Sequence, residues 1–103
     1  MTLIAKSDVL TLAGLRARRL EILRIAATHG AHNVRIFGSV ARDQAGPRSD
    51  IDFVVELDPE RTVLDLSALI LDLQDALGRV VDVIEIWGPS RIADEILREA
   101  VPL

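Results

Sequence analysis

Two short stretches of the chain carry side chains that could do chemistry together. Gly38-Ser39-Val40-Ala41-Arg42 holds a Gly-Ser turn, and Ser49-Asp50-Ile51-Asp52 follows it after a short loop. Carboxylates at i and i+2 of a strand point to one face and can share a divalent metal. A glycine at a turn lets backbone approach a phosphate closely, and the N–H groups and hydroxyl of a serine at a helix start can bind its oxygens. Arg42 and Arg48 could add charge-assisted contacts. The combination suggests a site that binds a nucleoside triphosphate with Mg²⁺ and transfers part of it.

Each piece also has a plain structural reading. Alternating acidic residues on a strand commonly mark a solvated sheet face, and Gly-Ser can be a simple strand-to-helix turn with a capping serine. A third acid weighs against the plain reading. Asp82 lies between Val80-Val81 and Val83-Ile84, where a charge needs a metal, a partner or an exposed edge. If the strands of Asp52 and Asp82 are neighbours, three carboxylates crowd together. Hard oxygen donors of this kind suit Mg²⁺ or Mn²⁺.

The elements that must position these residues follow from apolar spacing. Residues 7–29 read as one helix, with Leu12, Leu15, Ile22, Leu23 and Ala26 on a stripe and Gly30 as its stop. Residues 33–37 read as a strand and Val40–Asp43 as one helical turn. Residues 44–49 form a loop by composition. In the strand 50–57, Ile51, Phe53, Val55 and Leu57 share one face, and Asp50, Asp52, Val54 and Glu56 the other. Thr62 caps a helix to Leu77, with Leu66, Leu69, Ile70, Leu73 and Leu77 inward and Gly78 closing it. Residues 80–86 form a β-branched strand. Gly88-Pro89-Ser90 starts a last helix with Ile92, Ile96 and Leu97 inward. The expected fold class is α/β (α+β), a short mixed sheet flanked by helices in the order α-β-β-α-β-α.

Composition narrows the function. The 103 residues suit one domain, with an N-terminal helix over 7–29 and a catalytic core over 33–103. Half the residues are hydrophobic, so a core can form. The absence of cysteine excludes disulfides, thiolate zinc and cysteine nucleophiles. A net charge of −4 argues against general nucleic-acid binding. Neither a signal-peptide pattern nor an apolar run of membrane length is visible, so a cytoplasmic location is expected. Arg19 falls inside the apolar stripe and reads as a snorkelling side chain, with contact to a partner or nucleotide as the alternative. His29 and His32 read as surface or capping residues. Trp87 reads as core or edge packing.

The run Gly38-Ser39-x-Ala41-Arg42, then Ser49-Asp50-Ile51-Asp52, then Asp82 resembles the nucleotidyltransferase superfamily that includes DNA polymerase β. The compact form and the ending Ile96-Leu97-Arg98-Glu99-Ala100-Val101-Pro102-Leu103 are similar to its minimal nucleotidyltransferase (MNT) group. The resemblance implies that Gly38, Ser39, Arg42 and Ser49 bind the triphosphate of ATP. It implies that Asp50, Asp52 and Asp82 hold two Mg²⁺ ions, with Asp82 also activating the acceptor hydroxyl. Two such ions sit about 3.5–4 Å apart and stabilise attacking and leaving oxygens. The chain departs from the pattern at Asp43, where the family often has glycine; aspartate tolerates left-handed backbone better than most residues.

Larger relatives add a domain that grips the acceptor, and the chain has no room for one before Leu103. The resemblance to antitoxins paired with HEPN toxins then implies AMP transfer to a tyrosine of the toxin. The alternative is a catalytically weak binding module that neutralises the toxin by complex formation. Transfer to RNA or to a small hydroxyl compound fits less well, because the chain is acidic.

Overall fold

The computed structural model describes residues 9–103. Ser7, the expected start of the first helix, lies outside them. In place of one long helix there are two, α1 (Leu12–Ala17) and α2 (Arg19–Thr28). The ladder breaks at Arg18, whose ψ of 19° leaves the helical range. Its guanidinium donates to Glu21 and, at 2.7 Å, to the carbonyl of Ala76. The break lets the second segment run on from a side chain tied to another helix. The expected stripe survives it, with Leu15, Ile22 and Ala26 buried.

Strand β1 (Ala31–Phe37) starts two residues earlier than the sequence pattern suggests, and a bulge between His32 and Arg35 places Asn33 at φ 52°. Then come α3 (Gly38–Ala41), β2 (Ile51–Leu57), α4 (Val63–Leu77), β3 (Val81–Glu85), α5 (Arg91–Glu99) and β4 (Val101–Pro102). The sheet order is β3-β2-β1-β4. β1 is antiparallel to β2 and β4, whereas β2 and β3 are parallel. A parallel pair needs a crossover between its strands, and α4 supplies it. The mixed sheet flanked by helices is the expected class.

β4 is absent from the sequence reading. Two residues show no period, and Pro102 lacks an N–H, which suits only an edge position. The strand is recognised by its pairing of Val101 and Pro102 with Ile36 and Arg35.

The core lies on one face of the sheet. Ile51, Phe53 and Val55 of β2 meet the helices there, with Leu69, Leu73 and Leu77 of α4 buried in the same cluster. Leu66 and Ile70 are half-buried, as a helix rim requires. The opposite face carries Asp52, and Val54 on that face is fully buried. In α5 one expected inward residue, Ile92, is corrected, while Ile96 and Leu97 are half-buried as expected. Ala93 is buried while Ile92 is 69% exposed, and the Ser90 hydroxyl at the N-cap accepts from the Ala93 N–H. Trp87 is a second correction: it stands 86% exposed rather than packed.

Thr62 begins α4 with a reciprocal cap. Its hydroxyl accepts from the Leu64 N–H at 3.2 Å, and the Asp65 carboxylate accepts from the Thr62 N–H at 2.8 Å. That backbone hydrogen bond is the main reason the Asp65 pKa is lowered. Because α4 sets the spacing of the parallel pair, Thr62→Ala should destabilise the fold by about 1 kcal/mol, read from urea unfolding. An unchanged midpoint would remove the cap from the account.

Candidate active site

The site grows from the end of β1. Phe37 pairs with Asp52, and the next residue, Gly38, turns the chain at φ 72° into the single turn of α3. A side chain at Gly38 would strain that left-handed backbone. It would also collide with Asp52, since a Cβ there would lie 2.3 Å from Asp52 Oδ2. Glycine is thus required by the neighbouring carboxylate as well as by the turn. Phe37 at the N-cap of α3 makes no side-chain cap hydrogen bond, leaving the first N–H groups for another acceptor.

Across the parallel pair, Asp52 stands in register with Asp82. The two carboxylates therefore emerge from adjacent strands on one face. Asp50 precedes β2 and is exposed; it lines a depression with Arg48, Ser49 and Arg79. Burial raises the Asp52 pKa, the charges of Asp82 and then Asp50 raise it further, and Arg42 opposes them. The structure thus brings Asp52 and Asp82 side by side, with Asp50 close enough to be felt through its charge.

The donor set fits a hard divalent cation in type and in uncompensated charge. Among the described residues, no group of three or more His, Cys, Asp or Glu side chains already stands in a metal-holding arrangement. Asp52 and Asp82 are the pair best placed for one, and the exposed Asp50 would have to turn toward them.

The other expected residues fall around this pair. Ser39 lies in the turn of α3, where its carbonyl accepts from the Gln44 N–H at 2.8 Å. Arg42 is exposed, its Nε 3.3 Å from Gln44 Oε1. Asp43 takes φ 58°, the left-handed backbone that the departure from glycine demands. The Ser49 hydroxyl accepts from the Gly46 N–H at 2.8 Å and so closes the loop. Arg19 is exposed and shares a surface pocket with Arg35 and Pro102, none of the carboxylates among its lining. His29 and His32 lie beside Asp72 and Asp58, at 2.6 and 3.4 Å.

Arg79 was not foreseen from the sequence. Its Nη2 donates to the carbonyls of Pro47 at 2.6 Å and Ser49 at 2.9 Å. One guanidinium thereby holds the loop that delivers Asp50. Only its place directly after Gly78 marks it in the sequence, and that spacing carries no chemical signal.

With this geometry in hand, comparison with known proteins is informative. The sequence model of the nucleotidyltransferase domain matches residues 20–101. The chain belongs to that family and is a nucleotidyltransferase. The match starts inside α2, ahead of the Gly38-Ser39 motif. A Methanocaldococcus jannaschii protein named "Putative protein adenylyltransferase MJ0435" is 39% identical over 82 residues, covering 79% of this chain and 88% of the relative. A solved structure described as a "putative minimal nucleotidyltransferase" superposes with a TM-score of 0.79 at 46% identity, covering 90% of this chain and 96% of the other. A toxin-antitoxin structure with AMP-PNP shares the fold at a TM-score of 0.69 and 19% identity, covering 81% and 69% of the two chains.

Two predictions follow from the geometry. Without divalent cation, Asp52→Asn should raise the Tm at pH 7. The folded-state pKa of Asp52 lies above its ordinary 3.8, so its linked stability is complete below that pH and is lost as pH rises through the folded value. Asparagine escapes this loss, and the gain should vanish below about pH 4. A lower Tm for the variant at pH 7 would contradict the crowding. Separately, Arg79→Ala should raise the Mg²⁺ concentration for half-maximal activity about tenfold and speed amide exchange over residues 47–51. Arg79→Lys should recover part of both, because a charged nitrogen with N–H donors remains but without the planar guanidinium geometry. Unchanged Mg²⁺ dependence would leave Arg79 with a folding role alone.

Proposed function

We propose that this chain is a Mg²⁺-dependent protein adenylyltransferase acting as an antitoxin, which transfers AMP from ATP to a hydroxyl, that of a tyrosine, on a partner HEPN toxin. The observation that carries this reading is the Asp52–Asp82 register on one sheet face, with Gly38 leaving room for Asp52. The name of the M. jannaschii relative and the fold shared with a toxin-antitoxin structure holding AMP-PNP support it. Residues 1–103 would form one minimal catalytic unit. A cytoplasmic setting suits an ATP-dependent enzyme in which, among the described residues, no helix is long and apolar enough to cross a membrane.

In this reading Gly38 and the N–H groups at the start of α3 receive the triphosphate, with Ser39 and Arg42 adding contacts. Ser49 and Arg79 hold the loop that presents Asp50. Asp50, Asp52 and Asp82 would hold Mg²⁺, which when bound neutralises charge on the phosphates and on the attacking and leaving oxygens. The acceptor oxygen forms a bond to the α-phosphorus as the bond from that phosphorus to the bridging oxygen breaks, and pyrophosphate leaves. The hydroxyl proton goes to a carboxylate. Asp82, exposed beside Asp52, would take it.

Labelled ATP, Mg²⁺ and the product of the adjacent reading frame provide the test. The partner should acquire label, and Asp50→Asn or Asp52→Asn should slow transfer by about 10²–10³-fold, as loss of one preorganised electrostatic group does. A folded, bound partner that gains no label would overturn the catalytic reading. Protection that survives in Asp52→Asn would favour neutralisation by binding alone, the reading that the added negative charge of Asp43 favours.

A further inference from the structure

The face that carries Asp52 and Asp82 continues along β3. Side chains alternate on a strand, so Asp82, Ile84 and Ile86 share that face. Beyond them Trp87 is 86% exposed and Ile92 69% exposed. With Ile84, Ile86, Pro89 and Ile96 they line an open groove of about 510 Å³. A second depression of about 300 Å³ adjoins it across Ile86 and Trp87. Glu85 alternates to the other face but, on the edge strand β3, lines both; Asp58 and Arg61 line the second with it, and among the described residues no hydrogen bond or ion pair engages its half-buried carboxylate.

The geometry points to this groove as the docking site for the protein that receives AMP. Its occupant is a segment offering aliphatic or aromatic side chains beside a lysine or arginine that pairs with Glu85. The identity of the occupant rests on the proposed protein-adenylylating activity. Contiguous exposed apolar surface rimmed by charge marks protein contact, and tryptophan is prominent among the residues that dominate binding. From Asp82 to Ile86 the strand advances four residues, about 13 Å. A bound segment can therefore fill the groove and still deliver a hydroxyl, a few residues along, to Asp82.

Charge decides among occupants. A twofold contact between two copies repeats the same patch on both sides, so it would bring a second Glu85 carboxylate into the same seam, while Arg61, the cation lining the second depression, is already paired with Asp65 at 3.3 Å. A basic partner segment pairs Glu85 instead, and suits a chain of net charge −4.

Trp87 is the sole tryptophan, so its emission reports occupancy directly. The probe is the product of the adjacent reading frame, titrated into the full chain. Emission should shift to the blue and saturate. Ile92→Asp and Glu85→Arg, both outside the catalytic machinery, should each weaken binding and raise the acceptor KM at least about tenfold. Their kcat and their affinity for a non-hydrolysable ATP analogue should be unchanged. An emission that the acceptor leaves unmoved, or an unchanged KM in both variants, overturns the inference. So does a shift produced by the ATP analogue alone, or a wild-type dimer that Ile92→Asp dissociates. A wild-type chain that binds with the emission shift yet transfers no AMP would leave the docking surface standing and remove the activity.

Discussion

The arrangement depends on the parallel pairing of β2 with β3. That register sets Asp52 directly beside Asp82. Two acids in adjacent strands repel each other, and the half-buried position of Asp52 adds a desolvation penalty. The fold supports this through the packed opposite face, where Ile51, Phe53 and Val55 are buried against the α4 leucines. The crossover through α4 fixes strand direction, and Gly38 gives the Asp52 carboxylate its space. Stability on one side of the sheet thus maintains unfavourable charge on the other, where a bound cation would relieve it.

Much of this was legible in the sequence because residue type limits chemistry. An Asp-x-Asp pair at a strand start, a third aspartate among β-branched residues and a Gly-Ser turn left few alternatives. The helix 62–77 was equally clear, since leucine spacing, Thr62 and Gly78 all agree. What stayed hidden depends on contacts between distant residues. The break at Arg18 is tied to a carbonyl of α4. The two-residue β4 exists only through its pairing with β1. In α5 Ala93 takes the buried place expected of Ile92.

Three residues show how meaning changed with structure. The sequence assigns Gly38 to phosphate access; it is also the gap that Asp52 occupies. Arg79 had no pattern to distinguish it, yet it fastens the loop ahead of Asp50 through two carbonyls. Trp87 moved the other way, from packing to an exposed surface near the catalytic face.

The central claim is that Asp52 and Asp82 act as one cation-binding pair. Titration of Mn²⁺ into the chain with a non-hydrolysable ATP analogue, followed by electron paramagnetic resonance, tests it most directly. Asp82→Asn should weaken Mn²⁺ binding by about tenfold or more, in line with the loss of one oxygen ligand and its charge, while circular dichroism stays unchanged. Wild-type affinity in that folded variant would contradict the account.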